Sequence, residues 1–302
     1  MSYIASPATR AHAGRKGVDL DAVAKATGRT EIAKEDVDRH ISGAATASGG
    51  ADHRRYWQVD HAEYGPVRTE DMPRFAQLAA ANLGAANATI PQVTHHDRAD
   101  MRAVEALRRD MRDEAARKGI KLTALAFHVK ALARCLVEFP RFNASLSADG
   151  NSLTFKDYVH VGIAVDTPHG LMVPVIRDSD AKGLWTIAAE IADLAARAQA
   201  RKVRPDEMGG ASMTISNLGG IGGTAFTPIV NPPEVAILGL TRTETVPVWT
   251  GDTWDPVPMT PLDLSYDHRV VNGADAARQR AASPPLLADP RRMVLAPRRP
   301  AA

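Results

Sequence analysis

Near the C-terminus the sequence reads SYDHRVVNGADAAR, from Ser265 to Arg278, with His268 four residues before Asn272. An imidazole titrates near neutrality, at about 6.5 when unperturbed, so it can take up and return a proton at physiological pH. Strand-like residues precede His268, the Asn272-Gly273 pair predicts a tight turn, and the ADAAR run supports a helix. A lone histidine near a turn is more often structural than catalytic. One held at the end of a strand by a turn has a fixed orientation, which proton transfer needs. Asp267 and Arg269 alternate with His268 along the strand, so both point away from it. They predict an ion pair that fixes the strand end.

Other chemistry-bearing groups fit less well. GGIGG, Gly219 to Gly223, is followed by TAFTPIVNPPEV. A dinucleotide loop needs a helix there, and this Pro-rich stretch cannot open one. The glycines predict a turn with tight backbone packing, shaping the approach to a site beside Ser216. His95 and His96 are adjacent, and neighbours on a strand face opposite ways, so both cannot easily bind one ion. No HExxH or paired CxxC is present, and no metal is expected. The single cysteine, Cys135, sits in an apolar helix-like stretch, which suits packing and a reducing compartment.

The elements that must position these groups fall into zones. Residues 3–42 contain ASPATRAHAGRKG, a short helix opened by Ser6-Pro7, and AKEDVDRHI, a second short helix with acidic residues in its first turn. GVDLDAVAKATG between them is a local apolar cluster. Residues 43–55 are rich in Ala, Ser and Gly and read as a flexible linker. Residues 56–296 alternate helical and strand-like segments. MPRFAQLAAANLGAA, ADMRAVEALRRDMRDEAARKG, LTALAFHVKALARCLVEFP and LWTIAAEIADLAARAQARK have helical period. TFKDYVHVGIAVDT and LMVPVIRD read as strands joined at PHG, and SMTISNLG, PEVAILGLTRT and PLDLSYDH as further strands. This is an α+β pattern with a mixed sheet. Ser283-Pro284-Pro285 predicts a break in the helix after ADAAR. Residues 297–302 form a tail.

The chain has 302 residues, 37 basic against 35 acidic, for a net charge of +2. That balance gives no bulk field for nucleic acid. No apolar run approaches the roughly 20 residues of a membrane span, and the N-terminus lacks a signal-peptide core. A cytoplasmic protein is expected.

DHRVVNGADAAR resembles the C-terminal signature of the dihydrolipoamide acyltransferases, the core subunits of 2-oxo acid dehydrogenase complexes. PRFNASL, HVGIAVDTPHGLMVPVIRD, GGASMTISNLGGIGGTAFTPIVNPPEVAILGL and DPRRMVL resemble family segments in the family's order. IPQVTHHDRADM and the PVW after the GL strand point to the pyruvate (acetyltransferase) branch. The resemblance implies a chloramphenicol-acetyltransferase-like fold of mixed sheet and helices. It implies acyl transfer between dihydrolipoamide and coenzyme A, with His268 as general base and Ser216 as oxyanion donor. Asn272 stands where the common signature has Asp, and is expected to orient His268 or the reacting groups. The resemblance also implies a homotrimer with the site between subunits, coenzyme A and the lipoyl arm entering from opposite sides, and a 24-subunit cage.

Residues 3–42 resemble the family's peripheral subunit-binding domain, which docks the decarboxylase or the dihydrolipoamide dehydrogenase. Arg10, Arg15, Lys16 and Arg29 are the basic groups expected to meet acidic partner surfaces. Glu31 stands where the family has a basic residue. No lipoyl domain is recognised, so the lipoyl group is expected from another chain or domain. Two other readings stay open: a non-catalytic scaffold recruiting partner enzymes, and a free-standing coenzyme A-dependent acyltransferase.

Overall fold

The computed structural model of the protein describes residues 3–27, 31–41, 59–168 and 170–295. Arg29, the 43–55 linker, His169 of the PHG turn and the 297–302 tail lie outside the described residues. The chain divides into two compact units, 1–71 and 72–302.

In the first unit, β1 (Ile4–Ala5) leads into α1 (Pro7–Lys16). Ser6 caps that helix by accepting the Thr9 N–H at 3.1 Å, and Pro7 occupies its first turn, as the sequence predicts. The apolar cluster that follows is itself a helix, α2 (Leu20–Thr27), so the described residues hold three helices where the sequence reading gave two. Leu20, Val23 and Ala24 fall on one helical face and are buried, which explains the difference. β2 (Glu31–Ile32) pairs in parallel with β1, and α3 (Lys34–Ile41) follows. The core is small: Ala5, Ala13, Leu20, Val23, Ala24, Ile32 and Val37. Arg10, Arg15 and Lys16 are exposed on α1, and Glu31 is exposed on β2.

The second unit opens with α4 (Arg74–Thr89), β3 (Gln92–Asp100), α5 (Arg102–Asp110) and α6 (Arg112–Lys118). The sequence reads α5 and α6 as one helix; the chain instead turns at Met111, whose ψ is near zero. Then come α7 (Ala124–Glu138), the small hairpin of β4 (Ala144–Leu146) and β5 (Leu153–Phe155), β6 (Val161–Ala164), β7 (Val175–Ile176) and α8 (Leu184–Gln199). The chain ends with β8 (Met213–Asn217), β9 (Ala236–Leu240), β10 (Glu244–Trp249), β11 (Trp254–Asp267), α9 (Gly273–Ala288) and α10 (Arg291–Leu295).

Seven strands form one mixed sheet in the order β10-β11-β9-β8-β6-β7, with β3 paired to β11. β6, β8 and β9 run parallel and the other pairs are antiparallel. The α+β class read from the sequence is the class observed. Ile215, Leu238, Leu262, Leu264 and Tyr266 belong to one core with Phe127, Leu132 and Leu136 of α7 and Ile187 of α8. β11 is longer than the predicted strand because Pro256 and Pro258 lie where only β10 pairs with it. Proline is tolerated where one side of a strand has no ladder.

The predicted break at Ser283-Pro284-Pro285 does not occur: α9 runs through both prolines to Ala288. Each proline removes one helical N–H, at a cost of about 3 kcal/mol. Burial of Ser283, Leu286 and Leu287 in the last turns, worth about 1.5–3 kcal/mol per leucine, opposes that cost.

Candidate active site

The backbone of β11 stops at Asp267 and folds back at once. The Val270 and Val271 N–H groups both donate to the Asp267 carbonyl at 3.0 Å. The buried Asp267 carboxylate accepts from the Arg269 backbone at 3.0 Å and from its Nη2 at 2.7 Å. The ion pair expected at the strand end is present, and it raises the Arg269 pKa through the hydrogen bond and charge of Asp267. His268 is thereby exposed on the turn, its own N–H donating to the Pro91 carbonyl at 3.1 Å. Its ring lies 5.9 Å from that of buried Tyr266.

Asn272 stands at the start of a helix. The turn is made by Asp267–Val271, not by the Asn-Gly pair. Asn272 is the N-cap of α9, with extended backbone, and its Oδ1 accepts the Asp275 N–H at 2.8 Å. No hydrogen bond joins it to His268 among the described residues. Short polar side chains are favoured at this position because they satisfy an orphan N–H of the first helical turn.

Ser216 lies half-buried on β8, level with Ala164 of β6 and Gly239 of β9. Gly239 is level in turn with Asp263 of β11, and His268 follows Asp263 by five residues. With about 4.8 Å between strands and about 3.3 Å per residue, Ser216 and His268 are roughly 15–20 Å apart in one chain. One chain therefore does not bring them to one reacting atom.

The GGIGG stretch is a turn followed by irregular chain, with no helix. Gly222 and Gly223 take positive φ, 149° and 89°, and a Cβ on Gly219 would lie 3.3 Å from the Thr241 carbonyl. His95 packs against Tyr266, whereas His96 points the other way, its Nδ1 2.6 Å from the buried Asp263 carboxylate. Among the described residues, no group of three or more His, Cys, Asp or Glu could hold a metal ion. Cys135 is buried, 3.3 Å from the Ser283 hydroxyl.

A family model for the 2-oxoacid dehydrogenases acyltransferase (catalytic domain) matches residues 64–295. The chain belongs to the 2-oxo acid dehydrogenase acyltransferase family. Among curated acyltransferases of the family, the dihydrolipoyllysine-residue acetyltransferase component of the Pseudomonas aeruginosa pyruvate dehydrogenase complex is 48% identical over 299 residues. The match covers 96% of this chain and 55% of that protein. The Azotobacter vinelandii counterpart is 46% identical, with 96% and 47% covered. The chain thus spans about half the length of the curated relatives it matches. Two solved structures are each 50% identical with a TM-score of 0.77, covering 78% of this chain and 98% of theirs. One addresses the role of a serine, a histidine and an asparagine in the catalytic mechanism of the Azotobacter vinelandii dihydrolipoamide acetyltransferase. The other is the cubic core of a pyruvate dehydrogenase multienzyme complex.

This acyltransferase family member also carries groups that sequence reasoning missed. A cavity of about 340 Å³ beside α5 and α6 is lined by Arg108, Arg109 and Arg112 with Glu105. Arg108 is tied to Glu105 at 2.6 Å; Arg109 and Arg112 have no ion pair among the described residues. Helical spacing of the arginines was the available signal. Glu234 is buried behind β8, accepting from the Thr214 hydroxyl at 2.9 Å, and burial pushes its pKa up to about 7. Nothing in its local sequence marks it.

Proposed function

We propose that this chain transfers an acetyl (acyl) group between dihydrolipoamide and coenzyme A in the core of a cytoplasmic pyruvate dehydrogenase complex. The observation that carries the reading is the placement of His268 on a turn pinned on both sides, with Ser216 on the same sheet. The serine and histidine of the Azotobacter enzyme are 52 residues apart and its asparagine four further on. Ser216, His268 and Asn272 repeat those spacings.

His268 takes the proton of the coenzyme A thiol, because the thiolate is the nucleophile. The sulfur attacks the thioester carbonyl of the acyl-dihydrolipoyl arm. The Ser216 hydroxyl donates to the oxyanion that forms, and such donors are worth about 3–4 kcal/mol of barrier. The carbon–sulfur bond to the arm breaks, and the departing sulfur takes the proton back from the imidazolium. Asn272 sets the start of α9 and hence the path of the turn. The arginines of the α5–α6 cavity supply cations suited to coenzyme A phosphates.

Since Ser216 and His268 stand far apart in one chain, the site is formed between copies, in a homotrimer that builds a 24-subunit cage. Arg10, Arg15 and Lys16 of the first unit dock the decarboxylase or dihydrolipoamide dehydrogenase by charge. The deciding experiment mixes two dead variants, Ser216→Ala and His268→Ala, before assembly. A site shared between subunits regains about one quarter of wild-type sites in a one-to-one mixture, because each site draws its serine and histidine from different chains. A mixture as inactive as its parents would place both groups in one chain and sink the reading.

A further inference from the structure

Ser216, Gly239, Asp263 and His96 stand level on four adjacent strands, β8, β9, β11 and β3. Level residues on neighbouring strands share a face. The His96–Asp263 contact at 2.6 Å shows it directly, as does the 3.2 Å between Asp263 Cβ and a Cβ built on Gly239. This is the face opposite the one that Ile215, Leu238, Leu262 and Leu264 bury against α7 and α8.

Phe226, on the chain returning from β8, lays its ring over Gly239. A Cβ there would meet ring carbons Cε1 and Cζ at 2.6 and 2.8 Å, so only glycine leaves the ring its place. The ring thus stands between the strand of Ser216 and the strand of Asp263. Its backbone is held by Asp263, whose Oδ2 accepts the Phe226 N–H at 3.1 Å while Oδ1 faces His96. Asp263 is fully buried. Desolvating a carboxylate costs several kcal/mol, so a leucine here would satisfy packing better. Other anchors of the returning chain, Arg242 to the Ile221 carbonyl and the Val230 N–H to Gln92, lie on either side of Phe226 and do not fix it.

Resting on the acyltransferase reading, we infer that Asp263 is a positioning residue for acyl-group selection: it holds the Phe226 ring as the wall of the acyl slot beside Ser216. One strand spacing of about 4.8 Å separates the serine from the ring's seat. That leaves room for a methyl beside the carbonyl facing Ser216, and a longer chain meets the ring.

The test measures kcat/KM for transfer from acetyl-, propionyl- and isobutyryl-coenzyme A to free dihydrolipoamide. Asp263→Ala is expected to raise the propionyl-to-acetyl ratio about tenfold, the discrimination one methylene ordinarily provides. Asp263→Asn keeps an acceptor for the Phe226 N–H and is expected to hold the wild-type ratio. Phe226→Ala removes the wall directly and gives the same shift, which decides the matter if Asp263→Ala does not fold. An unchanged ratio in a folded Asp263→Ala protein, with all acyl donors slowed alike, reduces Asp263 to a structural residue and overturns the inference. The same holds for an unchanged ratio in Phe226→Ala. Wild type that transfers no acyl group at all overturns the acyltransferase reading and this inference together; an active wild type with unchanged variants overturns this one alone.

Discussion

Around His268 most of the holding contacts run between residues a few positions apart: Asp267 with Arg269, Val270 and Val271, and Asn272 with Asp275. Around Ser216 the neighbours are Ala164, Gly239 and, beyond it, Asp263 and His96, each on a different strand. The first region is a local motif that carries its own geometry. The second exists only when five strands are in register, and a slip of one residue in any strand would turn its member of the row to the other face. A base that must present a ring at one angle suits the local solution. A surface that must fit a substrate needs side chains from several strands.

The largest expected effect lies in the local region. His268→Ala should lower acetyl transfer from acetyl-coenzyme A to dihydrolipoamide by about 100-fold or more while the fold is kept, since general-base catalysis contributes about 10²–10⁴. Steady-state assays with circular dichroism on the same sample check it. A loss of less than tenfold would remove the histidine from the chemistry.

Next comes a test of the assembled region. Glu234 has a folded pKa of about 7 against a usual 4.5. A raised folded pKa means that its contribution is most favourable below the unfolded value and is lost as pH rises to about 7. Glu234→Gln removes the charge and keeps an acceptor for Thr214. Its stability relative to wild type should therefore improve between pH 5 and pH 8, by on the order of 3 kcal/mol at most. Urea midpoints at the two pH values report it; equal differences at both would show that Glu234 titrates normally.

Arg269→Ala leaves the buried Asp267 carboxylate without its ion-pair partner. Because Arg269 itself is partly exposed, with 44% of its side chain accessible, a loss of about 1–3 kcal/mol is expected. The smallest effect belongs to Asn272→Ala, which removes the α9 cap and should cost about 1 kcal/mol, with Asn272→Asp restoring it. If Asn272→Asp restores stability yet activity stays low, the carboxamide acts on the reacting groups as well as on the helix.

The sequence was legible where structure is local. The Ser6-Pro7 helix start, the strand before His268 and the Asp267–Arg269 pair follow from residues within a turn of one another. That Asn272 also caps α9 was not legible, because the cap depends on where the helix starts, and the chain turns at Asp267–Val271 rather than at the Asn-Gly pair. The double proline misled for the same reason in reverse. Its local penalty is real, but packing of Leu286 and Leu287 decides the outcome.

By itself the sequence determined the α+β pattern, the strand–turn–helix that presents His268, and the type of each reactive group, since these depend on neighbouring dihedrals and alternation. Tertiary structure alone decided that Asp263 meets His96 and Phe226, that Gly239 seats an aromatic ring, that Glu234 is driven toward neutrality, and that Ser216 and His268 stand apart in one chain. Those outcomes depend on which strands pair and in what register. That is settled by burying one face of the sheet against the helices, a sum over many distant contacts that no short stretch of sequence contains.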